Sequence, residues 1–342
     1  MMTSSTAVDF KQRAAAAAEV VDRELTRLFS PAHPMEPLHG AALYAMGLDV
    51  DDRTVRGKRI RPVLAMLTAE DLGAAPHAAL SFASAIEVLH NFALVHDDIE
   101  DGDTMRRGRP AVHVRHGLAH GINAGDYMLG RVFGIVTRDT ALAPATRLAL
   151  LELLDDTLEA LFRGQAQDIA ARGRHAFSMS EYEELVANKT GSYLAAPMIG
   201  GAIVAGADEK VLEALRHFGL AMGPLFQIRD DLIDLTAAKG RGASGSDIRE
   251  GKRSYLVAAA AAAASAADCD RLFAILDTPR EATTDGDVAW VIELFDRTGA
   301  ITAGEARCEA LLREGLAAIA VLPPRLRATL EQFAEAMHRR TT

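Results

Sequence analysis

Two cysteines, Cys269 and Cys308, are all that 342 residues contain. This excludes a disulfide-built scaffold, and no Cys-x-x-Cys pair is present to make a thiolate metal site. Both are read as free thiols of a reducing compartment. Aromatic residues make up 5%, with a single tryptophan, thin material for the strands of a sandwich or barrel. Strand-type alternation, hairpin signatures and a repeat at a period of about 20–50 residues are not found either. Basic charge is also short: 37 Lys and Arg stand against 47 Asp and Glu, for a net charge of −10. This balance offers no broad basic face to a phosphate backbone, so no nucleic-acid partner is expected. Long apolar runs are missing too. Residues 258–264 are too few and too weakly hydrophobic to span a bilayer. Residues 1–9 are polar and small, without the apolar core of a signal peptide. The expectation is a cytoplasmic protein with no membrane span.

What is present is helical material. Hydrophobic residues are 49% and charged residues 25%, enough to bury a sizeable core, and the abundant alanine and leucine are strong helix formers. Apolar periodicity predicts helices over 10–29, within 34–57, and over 61–72, 77–98, 122–137, 144–171, 208–235, 255–267, 289–298, 303–320 and 324–339. A further helix starts at a capping box in Ser180-Glu181-Tyr182-Glu183 and runs to residue 205, bent near Pro197. Glycine-rich loops are expected at 102–109 and 239–251. No Pro/Ser-rich linker divides the chain, so residues 1–342 are read as a single all-α domain.

Two acidic clusters share one spacing, Asp97-Asp98-x-x-Asp101 and Asp230-Asp231-x-x-Asp234. On a helix of about 3.6 residues per turn, i and i+4 lie about 40° apart and i+1 about 100° away, so three carboxylates share a face. Crowded carboxylates raise one another's pKa unless a cation sits among them. Hard oxygen ligands on a rigid scaffold suit Mg²⁺, which keeps waters and takes substrate phosphates as co-ligands. A single such cluster is as readily a solvated acidic face. The flanks weigh against that reading: Phe92-Ala93-Leu94-Val95 leads into the first cluster and Pro224-Leu225-Phe226-Gln227-Ile228 into the second. Acids that end apolar runs, at the mouth of an interior pocket, need a partner.

Basic groups punctuate the same stretch. Lys58, Arg59 and Arg61 lie in Gly57-Lys-Arg-Ile-Arg-Pro62, Arg106-Arg107 follow the first cluster in a glycine-flanked loop, Lys189-Thr190 precedes Gly191, and Lys252 follows Gly251. Each alone is ordinary surface charge. Together they suit diphosphate, because guanidinium forks grip phosphate oxygens in pairs and lysines act as point charges. A protein with acidic and basic groups of this kind can hold two phosphorylated substrates, one through metal and one through side chains. His90 lies two turns before Asp97, Gln227 about one turn before Asp230, and Gln165 mid-helix in Gly164-Gln-Ala-Gln-Asp168. Each of these also reads as an ordinary polar residue of a helix.

Taken in order, Gly57-Lys58-x-x-Arg61-Pro62, His90, Asp97-Asp98-x-x-Asp101, Arg106-Arg107-Gly108, Gly164-Gln165, Lys189-Thr190, Gln227-x-x-Asp230-Asp231-x-x-Asp234 and Lys252 resemble the trans-isoprenyl diphosphate synthase family over roughly 57–256. The resemblance implies an antiparallel multi-helix bundle around a central cavity, with the clusters on facing helices, and a homodimer. It implies a Mg²⁺-dependent head-to-tail (1′-4) condensation of isopentenyl diphosphate with an allylic diphosphate (dimethylallyl, geranyl or farnesyl). The reaction runs by ionisation, condensation and elimination in a cavity that excludes water. Asp97, Asp98, Asp101, Asp230, Asp231 and Asp234 would hold about three Mg²⁺ on the allylic diphosphate. Arg106, Lys189 with Thr190, Gln227 and Lys252 would contact the same group, and Lys58, Arg61, His90 and Arg107 would hold isopentenyl diphosphate. The family often carries Gly-Lys shortly before Gly-Ser-Asp247. Here the stretch reads Lys239-Gly240-Arg241-Gly242-Ala243, and both Lys239 and Arg241 are candidates for the third allylic-side cation.

Phe92, five residues before Asp97 and so about 7.5 Å down the helix axis, occupies the gate position for chain length in that family. An aromatic there followed by the small Ala93 resembles short-chain enzymes making geranylgeranyl diphosphate. A helical wheel alone favours Ala93 and Leu89, rather than Phe92, as pocket-facing. Farnesyl or longer polyprenyl products stay open, although the first cluster lacks the two-residue insertion of many bacterial farnesyl synthases. Two other readings compete. A class I terpene cyclase normally pairs one aspartate-rich motif with an Asn/Ser/Glu-type motif, and a non-catalytic partner subunit would have lost aspartates. Two intact clusters with accompanying basic groups argue against both.

Overall fold

A computed structural model describes residues 7–30, 37–175, 177–236 and 245–340. Its helices are α1 (Ala7–Phe29), α2 (Pro37–Met46), α3 (Ile60–Asp71), α4 (Leu80–Glu100), α5 (Val112–His116), α6 (Leu118–Thr137), α7 (Pro144–Ala171), α8 (Met179–Val186), α9 (Ser192–Val204), α10 (Glu209–Asp234), α11 (Ser246–Arg249), α12 (Tyr255–Ala263), α13 (Ala266–Leu276), α14 (Asp285–Arg297), α15 (Ala300–Ala318) and α16 (Pro324–His338). Among the described residues the only strands are β1 (Met105–Arg106) and β2 (Arg109–Pro110). The chain is all-α, as its composition predicts. No described helix is long and apolar enough to cross a membrane.

The chain forms two compact units. The first comprises 1–155, 197–212 and 323–329; the second comprises 156–196, 213–322 and 330–342. In the first, α4 is the centre, packed by α1, α3 and α6. Its residues from Phe82 to Leu89 are all buried, as are Asn91 and Phe92; a helix that is apolar nearly all round has to be enclosed. One polar stripe runs through this apolar surface. Ser84, Glu87, Asn91 and Asp98 are buried, and their steps of three, four and seven residues keep them on a single helix face. In the second unit α12 is the centre, packed by α8, α13, α14 and α15. Both cysteines are free thiols, and burial pushes the Cys308 thiol up to about 11.

Several local expectations are corrected. The 102–109 loop is a tight hairpin, pairing Met105 with Pro110 and Arg106 with Arg109. Its two turn residues, Arg107 and Gly108, both have positive φ, at 51° and 73°. A two-residue hairpin turn of this hand needs that, and normally signals it with Asn-Gly; Arg-Gly hides it. The capping box is formed by Ser178 and Glu181, not by Ser180. Ser180 with Glu183 has the same spacing, so sequence offers two registers. In the structure Glu183 is taken instead by Arg307, which donates from Nε at 2.8 Å and from Nη2 at 2.9 Å. The break expected near Pro197 lies at Ala187–Gly191, a single π-helical turn, while Pro197 sits inside α9. A wide turn absorbs an extra residue, whereas an internal proline removes one backbone bond. The helix expected over 255–267 stops at Ala263, and Ser265 caps α13, which sequence reading missed. Lys239 and Arg241 lie outside the described residues.

Candidate active site

The first cluster ends α4. Asp98 is buried at 2% exposure and is gripped by Arg106 from the hairpin, whose Nε lies 2.7 Å from its Oδ1 and whose Nη2 donates to the same oxygen. Burial still lifts the Asp98 carboxyl above its usual range, against the pull of Arg106. Burial likewise opposes the charge on Arg106, and Asp98 more than offsets it. Asp97 and Asp101, one turn apart, are only half-buried.

Seven residues back from Asp98 along the same stripe, at Asn91 and then Glu87, stands a second kind of environment. Arg59 (4% exposed) donates to Asp22 Oδ1 at 2.8 Å, Glu87 Oε1 at 2.6 Å and the Met46 carbonyl at 2.7 Å. Asn91 Nδ2 donates to the same Glu87 Oε1 at 2.8 Å. Arg107 turns inward toward Asn91 Oδ1 at 3.5 Å and the carbonyls of Val55 and Arg56 at 3.4 Å. Gly57 is required beside it: its φ is 74°, and a Cβ there would come within 2.9 Å of Arg107 Nη2. His90 lies among these groups. Burial, then the charges of Arg61, Arg107, Arg59 and Arg106, pull its pKa well below the ordinary histidine value, so the imidazole is neutral at pH 7. Arg61 is half-buried and Lys58 is exposed.

The second cluster ends the long part of α10 that belongs to the second unit. Asp231 (4% exposed) accepts from the Tyr182 hydroxyl at 2.9 Å and from Gln227 Nε2 at 3.3 Å. Burial, then the Asp231 carboxylate, pushes the Tyr182 phenol well above its ordinary pKa, so it acts as a donor. Asp234 (2% exposed) accepts from Ser246 Oγ at 2.5 Å and from the Asp247 backbone N–H at 2.9 Å. Asp247 in turn accepts from Lys252 Nζ at 2.8 Å, and Glu250 meets the same amine at 2.7 Å. Burial opposes the charge on Lys252, and the two carboxylates outweigh it and raise its pKa. Asp230 is half-buried, with Arg340 Nη1 3.3 Å away and the Arg340 guanidinium 5.0 Å over the Phe226 ring.

Lys189 and Thr190 are carried by the π-helical turn, both half-buried. Lys189 Nζ donates to Asp168 at 2.8 Å. Gly164 allows the approach, since a Cβ there would lie 2.5 Å from the Lys189 Cβ. Gln165 is half-buried in the next position. At the gate, Leu89 and Phe92 are both buried while Ala93 is half-buried, and the Phe92 ring meets His96 edge-on at 4.9 Å. Sequence reading missed Glu87, Asn91, Tyr182 and Asp22. The first two were signalled by polar residues at helical spacing in an otherwise apolar α4; Tyr182 and Asp22 carried no local signal.

Among the described residues no group of three or more His, Cys, Asp or Glu converges closely enough to cage a metal. Mg²⁺ does not ask for a cage: it takes one or two carboxylates and completes its shell with water and phosphate oxygens. The half-buried Asp97, Asp101 and Asp230 fit that donor set.

Fold and site together define a class: an all-helical protein that sets aspartate clusters beside ordered cations, suited to diphosphate substrates. The family model described as Polyprenyl synthetase matches residues 50–295, and the chain belongs to that family. It is a trans-prenyltransferase, an enzyme that lengthens a prenyl chain. The chain is 39% identical over 250 residues to the short chain isoprenyl diphosphate synthase of Methanothermobacter thermautotrophicus, covering 72% of this chain and 75% of that one. It resembles the crystal structure of geranylgeranyl pyrophosphate synthetase from Pyrococcus horikoshii with a TM-score of 0.86 and 30% identity, covering 97% and 98% of the two chains. It also resembles a polyprenyl synthase from Caulobacter crescentus, complexed with calcium and isoprenyl diphosphate, with a TM-score of 0.83 and 27% identity over 97% and 98%.

Proposed function

We propose that this enzyme joins isopentenyl diphosphate to an allylic diphosphate, head to tail (1′-4), and releases geranylgeranyl diphosphate. One observation carries the reading. Within the first unit a single helix, α4, bears a carboxylate pair suited to a metal-held diphosphate and, two turns away, a neutral histidine ringed by four arginine charges. The second environment recruits a diphosphate without metal. Lys58, Arg61, His90 and Arg107 would hold isopentenyl diphosphate there. Arg106, Lys189, Thr190, Gln227 and Lys252 would contact the allylic diphosphate.

Divalent metal is part of the proposal, supported by the Caulobacter relative crystallised with calcium and isoprenyl diphosphate. Asp97, Asp98 and Asp101 in the first unit, and Asp230, Asp231 and Asp234 in the second, would hold Mg²⁺, about three in all, and the metal would stabilise the departing diphosphate as the allylic C–O bond ionises. The protein's own residues do the rest. Arginines and lysines fix both diphosphates, so that the isopentenyl double bond lies within reach of the cation. The double bond attacks, the new C–C bond forms, and a proton leaves to the released diphosphate. Apolar helix faces keep water, which would quench the cation, away. Phe92, with Ala93 and Leu89, would stop growth at the twenty-carbon stage, and the geranylgeranyl pyrophosphate synthetase from Pyrococcus supports that length.

A homodimer, a cytoplasmic location and a single catalytic domain complete the reading. Val114 of α5 and Leu118 and Ile122 of α6 are exposed apolar residues suited to a second copy. The family model runs through residues of both compact units. The test is purified enzyme with Mg²⁺, isopentenyl diphosphate and each labelled allylic primer. Elongated diphosphate is expected, twenty carbons long by chromatography. No elongation with any primer, but hydrocarbon from geranylgeranyl diphosphate alone, would turn the reading to a cyclase. Sedimentation velocity reads the dimer.

A further inference from the structure

Arg59 departs from its neighbours. Lys58 is exposed and Arg61 half-buried, but Arg59 is 4% exposed and sits in the left-handed region, at φ 49°. A non-glycine residue adopts that backbone at a cost and keeps it only where its surroundings impose it. Here each guanidinium nitrogen donates once, to Asp22, Glu87 and the Met46 carbonyl. Glu87, 2% exposed, shares the same oxygen with Asn91. Asn91 then meets Arg107, the other left-handed arginine, at φ 51°. A continuous chain thus runs from the half-buried Asp22 on α1 through the buried Arg59, Glu87 and Asn91 to the hairpin turn. It has a strained arginine near each end, and His90 lies beside it on α4.

We propose that Arg59 and Glu87 are a positioning pair, which locks the backbone of 57–61 and, through Asn91, the Arg107 turn, so that Lys58, Arg61 and Arg107 meet the diphosphate of isopentenyl diphosphate as a preformed site. The proposal rests on the substrate reading above and extends it to two residues that never touch substrate. A buried ion pair adds little net stability over an apolar pair of similar volume, whereas removing one partner leaves a stranded charge. The function of this pair is therefore geometric. Lysine cannot replace Arg59, because one ammonium cannot reproduce the planar fork that reaches three acceptors.

The experiment compares R59K, E87Q and the double variant R59M/E87L with the wild-type enzyme. Calorimetry measures isopentenyl diphosphate binding in metal-free buffer, and steady-state kinetics separates the two substrates. In R59K and E87Q the KM and Kd for isopentenyl diphosphate should rise about tenfold, with the allylic KM and saturating kcat held within about threefold. The double variant should return to a near wild-type Tm, since Asp22, the one charge that loses Arg59, is half-buried and keeps Arg56 at 3.5 Å, yet it should keep the weak isopentenyl affinity. It also carries the test if either single variant does not fold. Recovery of affinity together with Tm in the double variant, wild-type affinity in the singles, or equal rises in both KM values would overturn the proposal. A wild-type enzyme that elongates normally while the variants show those outcomes defeats this inference alone. A wild-type enzyme that neither binds isopentenyl diphosphate nor elongates defeats the substrate reading and this proposal with it.

Discussion

The two aspartate clusters have the same spacing and different surroundings. In the first, one member is buried, Asp98, and its partner is a guanidinium eight residues further along the chain. In the second, two members are buried, Asp231 and Asp234, and neutral donors reach them: a phenol, a carboxamide, a hydroxyl and a backbone N–H. The arginines are placed differently as well. Arg106 holds the buried member of the first cluster, while Arg340 lies against Asp230, the half-buried member of the second. The i+4 positions therefore do different work. Asp101 is half-buried. Asp234 builds the turn at 245–249 and, through Asp247, places Lys252. Equal spacing does not mean equal roles.

The largest effects should come from the positions where the clusters agree. Asp97→Ala and Asp230→Ala should each lower the rate of labelled isopentenyl diphosphate incorporation about 10³-fold or more. Near-normal turnover in either variant would sink the metal assignment for that cluster. The i+4 positions should then diverge. Asp101→Asn should cut turnover about 10²-fold while changing unfolding stability by less than about 0.5 kcal/mol. Asp234→Asn leaves one acceptor oxygen where two, one for Ser246 Oγ and one for the Asp247 N–H, are in use, and should cost about 1–3 kcal/mol of stability in urea titrations. If the two variants lost stability equally, the division of roles would be wrong. Tyr182→Phe removes one neutral donor from Asp231. It should cost about 1 kcal/mol of stability and raise the Mg²⁺ concentration for half-maximal rate a few-fold. An unchanged Mg²⁺ requirement would make Tyr182 a packing residue only.

Much of this was legible in sequence because local rules decide it. Helix α7 runs over the residues that periodicity assigns it, and the ordered motif residues fall where their helices and turns should be. Failures came where two local signals competed or where a partner was distant. Ser178 and Ser180 offer equivalent capping boxes, and only tertiary demand for Glu183 separates them. The hairpin turn is built on Arg107, a residue that turn statistics do not favour. The unequal surroundings of the six aspartates could not be read at all, because the groups that meet Asp231 and Asp234 approach from Tyr182, forty-nine residues away, and from Ser246 beyond a glycine-rich stretch. Arg59 read only as one basic residue among three, and its burial sets it apart from Lys58 and Arg61.

The smallest effect distinguishes the basic end of α4 from the rest of the first unit, and it appears in stability against pH. Burial and four arginine charges hold the folded pKa of His90 well below 6.5. Above that value both folded and unfolded chains carry a neutral His90, and it contributes no pH dependence. As pH falls through 6.5 the unfolded chain takes up a proton that the folded chain refuses, so stability is lost until the folded pKa is reached. The loss is about 1.4 kcal/mol for each unit of depression. His90→Gln keeps a neutral polar side chain and removes the titration. Urea unfolding from pH 7.5 to 5 should therefore show wild type losing stability relative to His90→Gln, with the gap opening below about pH 6.5. A constant gap across that range would mean that the four arginine charges do not act on His90, and with that the case for a preformed anion site beside the first cluster would weaken.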